Sequence, residues 1–468
     1  MIKEVLFMLL TVGSISSCDS SENSKKSRAQ KGVEQEPMAV SQTSQKATTD
    51  FVGDISGEIK ISGSFTRAPE QNKIYLYETE GKDGYLIDST KIENSGFDFG
   101  TKELGIGVYS VGFELANRAD FIVNPNEDKV MLQFTGNTVR NFRTENSKDN
   151  AAWKDYSTKL ARLEGQIRSL RRKGGDSANE VQAKEYEIKD LRARIVRENP
   201  ETFTAKIAAH MESKNPTSKS EYWSDIDFSD ESYIHSPVLQ ERIQDFMRKH
   251  SGGTDNGFLN GIDFIVSKAK EAGSDRVLEY VLYTMMEGFY SSGMEHLSLY
   301  ILDNYINEET CGADLSDVLA SKAEGIQRLQ VGHKPKDFTV PTASGGSLNL
   351  YDVVDKNDYT LIFFWASWCH KCEAEIPELK QTYAQYKNQG FEVVGFSVDQ
   401  NDASWKKGIQ DKGIPWKNVS ELNGWESPTA KTYRVTNTPT MFLLNDKGEI
   451  ILKPERVREV ESYLSQKL

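Results

Sequence analysis

Cys369 and Cys372 stand three positions apart in Trp368-Cys369-His370-Lys371-Cys372, directly after the apolar run Leu361-Ile362-Phe363-Phe364-Trp365. A strand running into a Cys-x-x-Cys that opens a helix is the layout of a dithiol/disulfide active site. The leading thiol sits at the helix N-terminus, where unpaired N–H groups and the helix dipole favour a thiolate. The second lies one turn on, close enough to attack a mixed disulfide made by the first. Cys369 is therefore the candidate attacking sulfur and Cys372 the resolving one. Half of a zinc site has the same spacing, but the remaining cysteines are Cys18 and Cys311, and no histidine follows His370. That leaves no four-ligand set with metal-type spacing. A static structural disulfide is the other alternative.

The elements that must hold these thiols are legible around them. Residues 359–364 read as a buried strand, and 373–388 as a helix with Ile376, Leu379, Tyr383 and Tyr386 as its apolar positions. Residues 391–398 read as a second strand, and strand–helix–strand order implies a parallel crossover. Further on, 440–444 and 449–452 flank Asn445-Asp446-Lys447-Gly448, a hairpin signal. Pro454 is predicted to open a last amphipathic helix with Val457, Val460 and Leu464 on one face.

Four motifs together carry a family resemblance: Phe364-Trp365-Ala366-Ser367-Trp368-Cys369, Glu375-Ile376-Pro377, Thr438-Pro439-Thr440, and the lead-in Val331-Gly332-His333-Lys334-Pro335 followed by Phe338-Thr339-Val340. With them, residues 331–468 resemble a thioredoxin-fold domain of the TlpA/ResA-like, membrane-associated branch. The resemblance implies a thiol–disulfide oxidoreductase, with cytochrome c maturation as one setting. It implies that Trp368, Thr438 and Pro439 form the substrate groove, Thr438–Pro439 being a cis peptide that faces the cysteines. It also implies that Glu375, three residues after the second cysteine, takes the proton from Cys372 during resolution. Spacing alone allows a blander reading of Glu375 as a surface acid beside Glu373 and Glu378.

Two departures from thioredoxin itself bear on the chemistry. Phe363 stands where thioredoxin carries a buried Asp, and His370-Lys371 stand where many relatives have a Pro before the second cysteine. Cations beside the thiolate lower its pKa and stabilise the dithiol, which moves the couple in the oxidising direction. The alternative is a solvent-facing pair of little effect.

The N-terminus sets the expected location. Met1-Ile2-Lys3, the apolar Val5–Leu10 run and Ser14-Ile15-Ser16-Ser17-Cys18 read as an export signal too short for a membrane span. Small residues before a lone cysteine resemble a lipoprotein cleavage box, so residues 1–18 are the expected signal peptide and Cys18 the lipidation site. Residues 19–50 are almost free of large apolar side chains and read as a disordered tether. The expected location is the cell envelope, lipid-anchored to a membrane facing the periplasm, with the outer membrane a candidate.

The chain has 468 residues and a net charge of −13. The acidic balance and the lack of a basic aromatic groove or phosphate loop argue against nucleic-acid binding. Residues 51–148 alternate apolar and polar with Gly-rich turns and read as an antiparallel β-sandwich-like domain. Residues 149–330 read as a helical middle domain, with stripes at Leu160, Leu163, Ile167, Leu170 and at Tyr186, Ile188, Leu191, Ile195. Cys311 there reads as buried and inert. The expected fold class is thus multidomain: β-sandwich-like, helical, then a C-terminal α/β thioredoxin fold over 331–468.

No metal, nucleotide or flavin is required, because the dithiol is itself the redox group. The expected partners are exported protein disulfides or dithiols and a membrane electron donor or oxidant. Two alternatives come from other classes. One is a non-catalytic binding lipoprotein on a thioredoxin scaffold, against which the intact cysteine pair counts. The other is a thiol peroxidase, which wants a Thr or Ser one turn before the cysteine and an Arg for peroxide; Ala366-Ser367-Trp368 lacks that lead-in.

Overall fold

The computed structural model describes residues 56–468 except 82, 115–116, 146, 174–176, 212–215, 217 and 307–316. The expected signal peptide (1–18) and tether (19–50), with Cys18, and also Cys311 lie outside the described residues. The chain divides into two compact units that meet at Ser298/Leu299.

The first unit begins with eight strands: β1 (Ser56–Phe65), β2 (Lys73–Glu80), β3 (Asp83–Lys91), β4 (Gly96–Gly105), β5 (Gly107–Glu114), β6 (Asn117–Val123), β7 (Lys129–Phe134) and β8 (Phe142–Thr144). They form two four-stranded sheets, ordered β4-β1-β7-β8 and β3-β2-β5-β6. Period-two alternation explains the layering: Ile59 and Ile61 are buried while Glu58 and Lys60 face solvent. Inward residues of both sheets, among them Ile61, Leu76, Phe97, Val111, Phe121 and Leu132, share one apolar core. The sheets are not wholly antiparallel as the sequence suggests, because β1 pairs in parallel with β7. Alternation reports which face is buried, not which strand lies alongside.

Helices α1 (Lys148–Lys173) and α2 (Ala178–Glu198) follow, separated at the Gly-Gly break. Leu163, Ile167, Leu191 and Ile195 are buried as the stripes require, but Tyr186 is exposed. Next come α3 (Phe203–His210), α4 (Val238–His250), α5 (Asp255–Ala272) and α6 (Asp275–Ser291), and then α7 (Glu295–Tyr305), which runs across the division between the units.

The β and helical parts, expected as separate domains, belong to one unit because polar groups bridge them. Asn150 on α1 accepts from the Ile122 N–H and donates to the Ile122 carbonyl, both at 2.8 Å, imitating a strand partner for β6. The Val108 N–H donates to the His235 carbonyl and the Gly81 N–H to that of Ile234. Asp149, buried, accepts from the Phe203 and Thr204 N–H groups and so caps α3.

A second polar centre holds the helices together. Arg242 on α4 is 2% exposed and pairs with Asp225 at 3.2 Å. It also donates to the carbonyls of His210 and Tyr222, and its guanidinium lies 4.5 Å from the Tyr222 ring centroid.

The second unit contains α8 (Asp317–Gln327), the short hairpin β9 (Thr339–Pro341)/β10 (Ser347–Asn349), β11 (Tyr359–Trp365), α9 (His370–Tyr386), β12 (Phe391–Ser397), α10 (Asp402–Lys412), β13 (Lys417–Ser420), β14 (Thr440–Asn445), β15 (Ile450–Leu452) and α11 (Val457–Leu464). It starts before the expected boundary at 330, and Leu329 already joins its apolar core. The five-stranded sheet runs β13-β12-β11-β14-β15. β11 is central, parallel to β12 and antiparallel to β14, so both its faces are covered and its apolar residues run without interruption. Two helix starts differ from expectation. α9 begins at His370 rather than Glu373, and α11 is capped at Arg456, two residues past Pro454.

Candidate active site

The C-terminal end of β11 delivers the turn Ala366-Ser367-Trp368 to the N-terminus of α9, with Cys369 at the N-cap. Cys369 and Cys372 are joined as a disulfide, their Cα atoms 5.3 Å apart. Cys372 is fully buried, whereas Cys369 retains 6% of its surface. The Cys372 N–H donates to the Cys369 sulfur at 3.1 Å. On reduction, that bond and the helix N-terminus both stabilise negative charge on Cys369. The arrangement therefore suits attack through Cys369, the less buried of the two cysteines.

Opposite the disulfide lies the Thr438–Pro439 peptide, which is cis. The Thr438 carbonyl oxygen is 3.4 Å from the Cys369 sulfur. This loop and the Cys-x-x-Cys turn, far apart in sequence, are thus brought together. Trp368 stands beside them, 55% exposed.

His370 and Lys371 are exposed, as a solvent-facing pair would be. The His370 Nδ1 lies 3.4 Å from a Glu373 carboxylate oxygen, and the Lys412 ammonium lies 2.7 Å from the other. Lys412, and after it His370, hold the Glu373 carboxyl below the usual range. The imidazole therefore already has an acidic partner, which offsets its effect on the thiolate.

Glu375 is buried rather than a surface acid. Its carboxylate accepts from the Val457 N–H at 2.8 Å and from the Arg456 guanidinium at 3.1 Å. Both oxygens are thereby committed to the N-terminus of α11, a natural seat for an anion.

Three features escape a reading of the sequence. Asp399, at the end of β12, is 1% exposed. Its carboxylate accepts from the Ser367 N–H at 2.9 Å, from the Ser367 hydroxyl at 2.6 Å and from the Ser397 hydroxyl at 2.7 Å. It thus grips the turn two residues before Cys369. Gly408 on α10 permits this close packing, since a Cβ there would come within 2.7 Å of the Ser367 Cβ. Trp425 packs edge-on to Trp368 with ring centroids 6.1 Å apart. Arg456 is the third. The available signal for Asp399 is a lone acid just beyond the carboxyl end of a parallel strand, where sites in open α/β sheets collect; Trp425 and Arg456 have none.

Residues 331–453 match the model of the AhpC/TSA family. The C-terminal domain is 28% identical over 143 residues to the thiol-disulfide oxidoreductase ResA of Bacillus cereus (strain ATCC 10987), covering 30% of this chain and 80% of that protein. It is 24% identical over 127 residues to ResA of Bacillus subtilis (strain 168), covering 27% of this chain and 68% of that one. This part of the chain is a thiol–disulfide oxidoreductase with a thioredoxin fold. Among solved structures, a thiol-disulfide oxidoreductase from Bacteroides fragilis is 29% identical, covering 30% of this chain and all of that chain, with a TM-score of 0.28. The β and helical parts of the first unit lie outside the family match.

Proposed function

We propose that the protein works in the cell envelope and reduces or exchanges disulfides of exported proteins through the Cys369–Cys372 pair. The observation that carries this reading is the asymmetry of the pair: one sulfur at a helix N-cap facing the cis-proline loop, the other sealed beneath it. In the reductive direction the Cys369 thiolate attacks a substrate disulfide, forming a mixed disulfide and releasing one substrate thiolate. Cys372, as thiolate, then attacks the Cys369 sulfur. The enzyme disulfide forms, the second substrate thiol leaves, and two electrons have passed to the substrate. A membrane electron donor restores the dithiol; run backwards, the same steps take two electrons from a substrate dithiol into the enzyme disulfide, which a membrane oxidant then restores. Trp368, Thr438 and Pro439 line the groove that receives the substrate strand. Lipidation at Cys18 would supply the anchor; no described helix is long and apolar enough to cross a membrane.

The test is capture. Dithiothreitol-reduced protein carrying Cys372→Ser is expected to accumulate a mixed disulfide with insulin chains, visible on non-reducing gels, because the resolving thiol is gone. Absence of any adduct under conditions where the unaltered protein reduces insulin would overturn the division of roles.

For Glu375 two readings stand, and one substitution separates them. As the proton acceptor for Cys372, its replacement by Gln slows resolution near neutral pH, and the defect fades as alkali ionises the thiol unaided. As a strut tying α9 to α11, its replacement weakens folding without a pH-dependent step, since Gln has one oxygen for two donors. We propose the first role, and expect a resolution defect of at least roughly a hundredfold at pH 7. Stopped-flow rates for attack and resolution between pH 6 and pH 9 decide it; a pH-independent change, or none, leaves Glu375 a strut.

A further inference from the structure

Seven tryptophans occur in the chain. Five of them, Trp153, Trp223, Trp365, Trp405 and Trp416, are at most 9% exposed. The other two, Trp368 at 55% and Trp425 at 41%, pack edge-on against each other, and Trp368 immediately precedes Cys369. Large apolar surface left in water is unfavourable, and two such rings paired at the start of the Cys-x-x-Cys turn need a reason.

Trp425 does not dangle. It sits in the single turn Gly424–Glu426, whose flanks are bonded down on both sides. The Glu421 carboxylate accepts from the Ser427 hydroxyl, from the Thr429 N–H at 3.2 Å and from the Thr429 hydroxyl at 2.7 Å. Gly424 has φ +59°, and a Cβ there would lie 2.7 Å from the Gln400 side chain. The ring is thus held out on a braced turn, so ordering it on binding costs little. Two acids nearby in sequence already have ion-pair partners, Glu426 with Lys431 and Glu373 with Lys412 and His370. The two rings offer a partner exposed aromatic surface.

We propose that Trp425, together with Trp368, forms a seat for one aromatic or large aliphatic side chain of the polypeptide segment that carries the substrate disulfide. The inference rests on the disulfide-exchange reading above and adds a specificity to it. The occupant is a side chain flanking the substrate cysteine, because Trp368 adjoins Cys369 in the chain and the Thr438 carbonyl already meets the sulfur. Aromatic and aliphatic groups stack on such rings, whereas a Ser or Asp side chain would gain nothing there. The seat therefore favours polypeptide disulfides with an apolar neighbour over small polar disulfides.

The experiment uses the full chain, reduced with dithiothreitol and freed of it, against three disulfides. Two are peptide disulfides identical except for Phe or Ser two residues from the cysteine, and the third is glutathione disulfide. The unaltered protein is expected to reduce the Phe peptide about tenfold faster than the Ser peptide, a preference equivalent to about 1.4 kcal/mol. Trp425→Ala should bring that ratio near one, and Trp425→Phe should keep most of it. No preference in the unaltered protein overturns the proposal without any variant being needed. An equal fall on both peptides in Trp425→Ala also overturns it, since that is the mark of a ring serving only the fold. Failure of the unaltered protein to reduce any of the three, glutathione disulfide included, removes the disulfide-exchange reading itself.

Discussion

Replacing Cys369 with Ser is expected to lower the rate of insulin disulfide reduction by at least roughly three orders of magnitude. A serine hydroxyl cannot form a mixed disulfide, and the fully buried Cys372 cannot substitute for it as the attacking group. The fold should survive. The N-cap position accepts Ser well, its hydroxyl can take the Cys372 N–H in place of the sulfur, and the side chain is smaller. Turbidity caused by the released insulin B chain measures the rate, and circular dichroism checks the fold. Retention of more than a few per cent of activity by a folded Cys369→Ser protein would mean that another group attacks.

The second large effect concerns stability of the first unit. Arg242→Ala is expected to cost about 3–5 kcal/mol. The guanidinium is buried, and its loss takes one donor from the Asp225 carboxylate and from each of the carbonyls of His210 and Tyr222. It also removes the cation from the faces of Tyr222 and Trp223, leaving a void between α3, α4 and the segment around 222–225. Because the chain has two units, urea unfolding should be followed as separate transitions rather than one. The expected result is a lowered midpoint for the transition of the first unit. A shift equivalent to less than about 1 kcal/mol would show that the cluster is no more than a surface-like ion pair.

What could be read from the sequence divides along the range of the interactions. The Cys-x-x-Cys turn, the strand before it and the helix after it are local, and their patterns of burial and spacing announce them. The facing of Thr438–Pro439 toward the cysteines came through resemblance, because no local rule relates residues so distant. The missed features are those set by tertiary closure. Asp399 reaches Ser367 across 32 positions, and Glu375 reaches Val457 across 82. Neither partner carries a sign of the other. Glu375 was legible as an acid on the cysteine helix, but its commitment to α11 was not. In the first unit, alternation marked the strands while the parallel β1–β7 pairing and the fusion of sandwich to helices stayed hidden.

The grip of Asp399 on Ser367 and the open exposure of His370 and Lys371 have opposite evolutionary meanings. Changing residues 366–368 in length would deprive a buried carboxylate of its two Ser367 donors, so that stretch is poorly suited to insertion and deletion. The two residues between the cysteines, whose one described side-chain partner is the exposed Glu373, can be exchanged without disturbing any buried group. Exchanging those two side chains is therefore open to the scaffold in a way that changing the turn is not, and a redox titration of such variants would show whether the pair sets the potential of the disulfide.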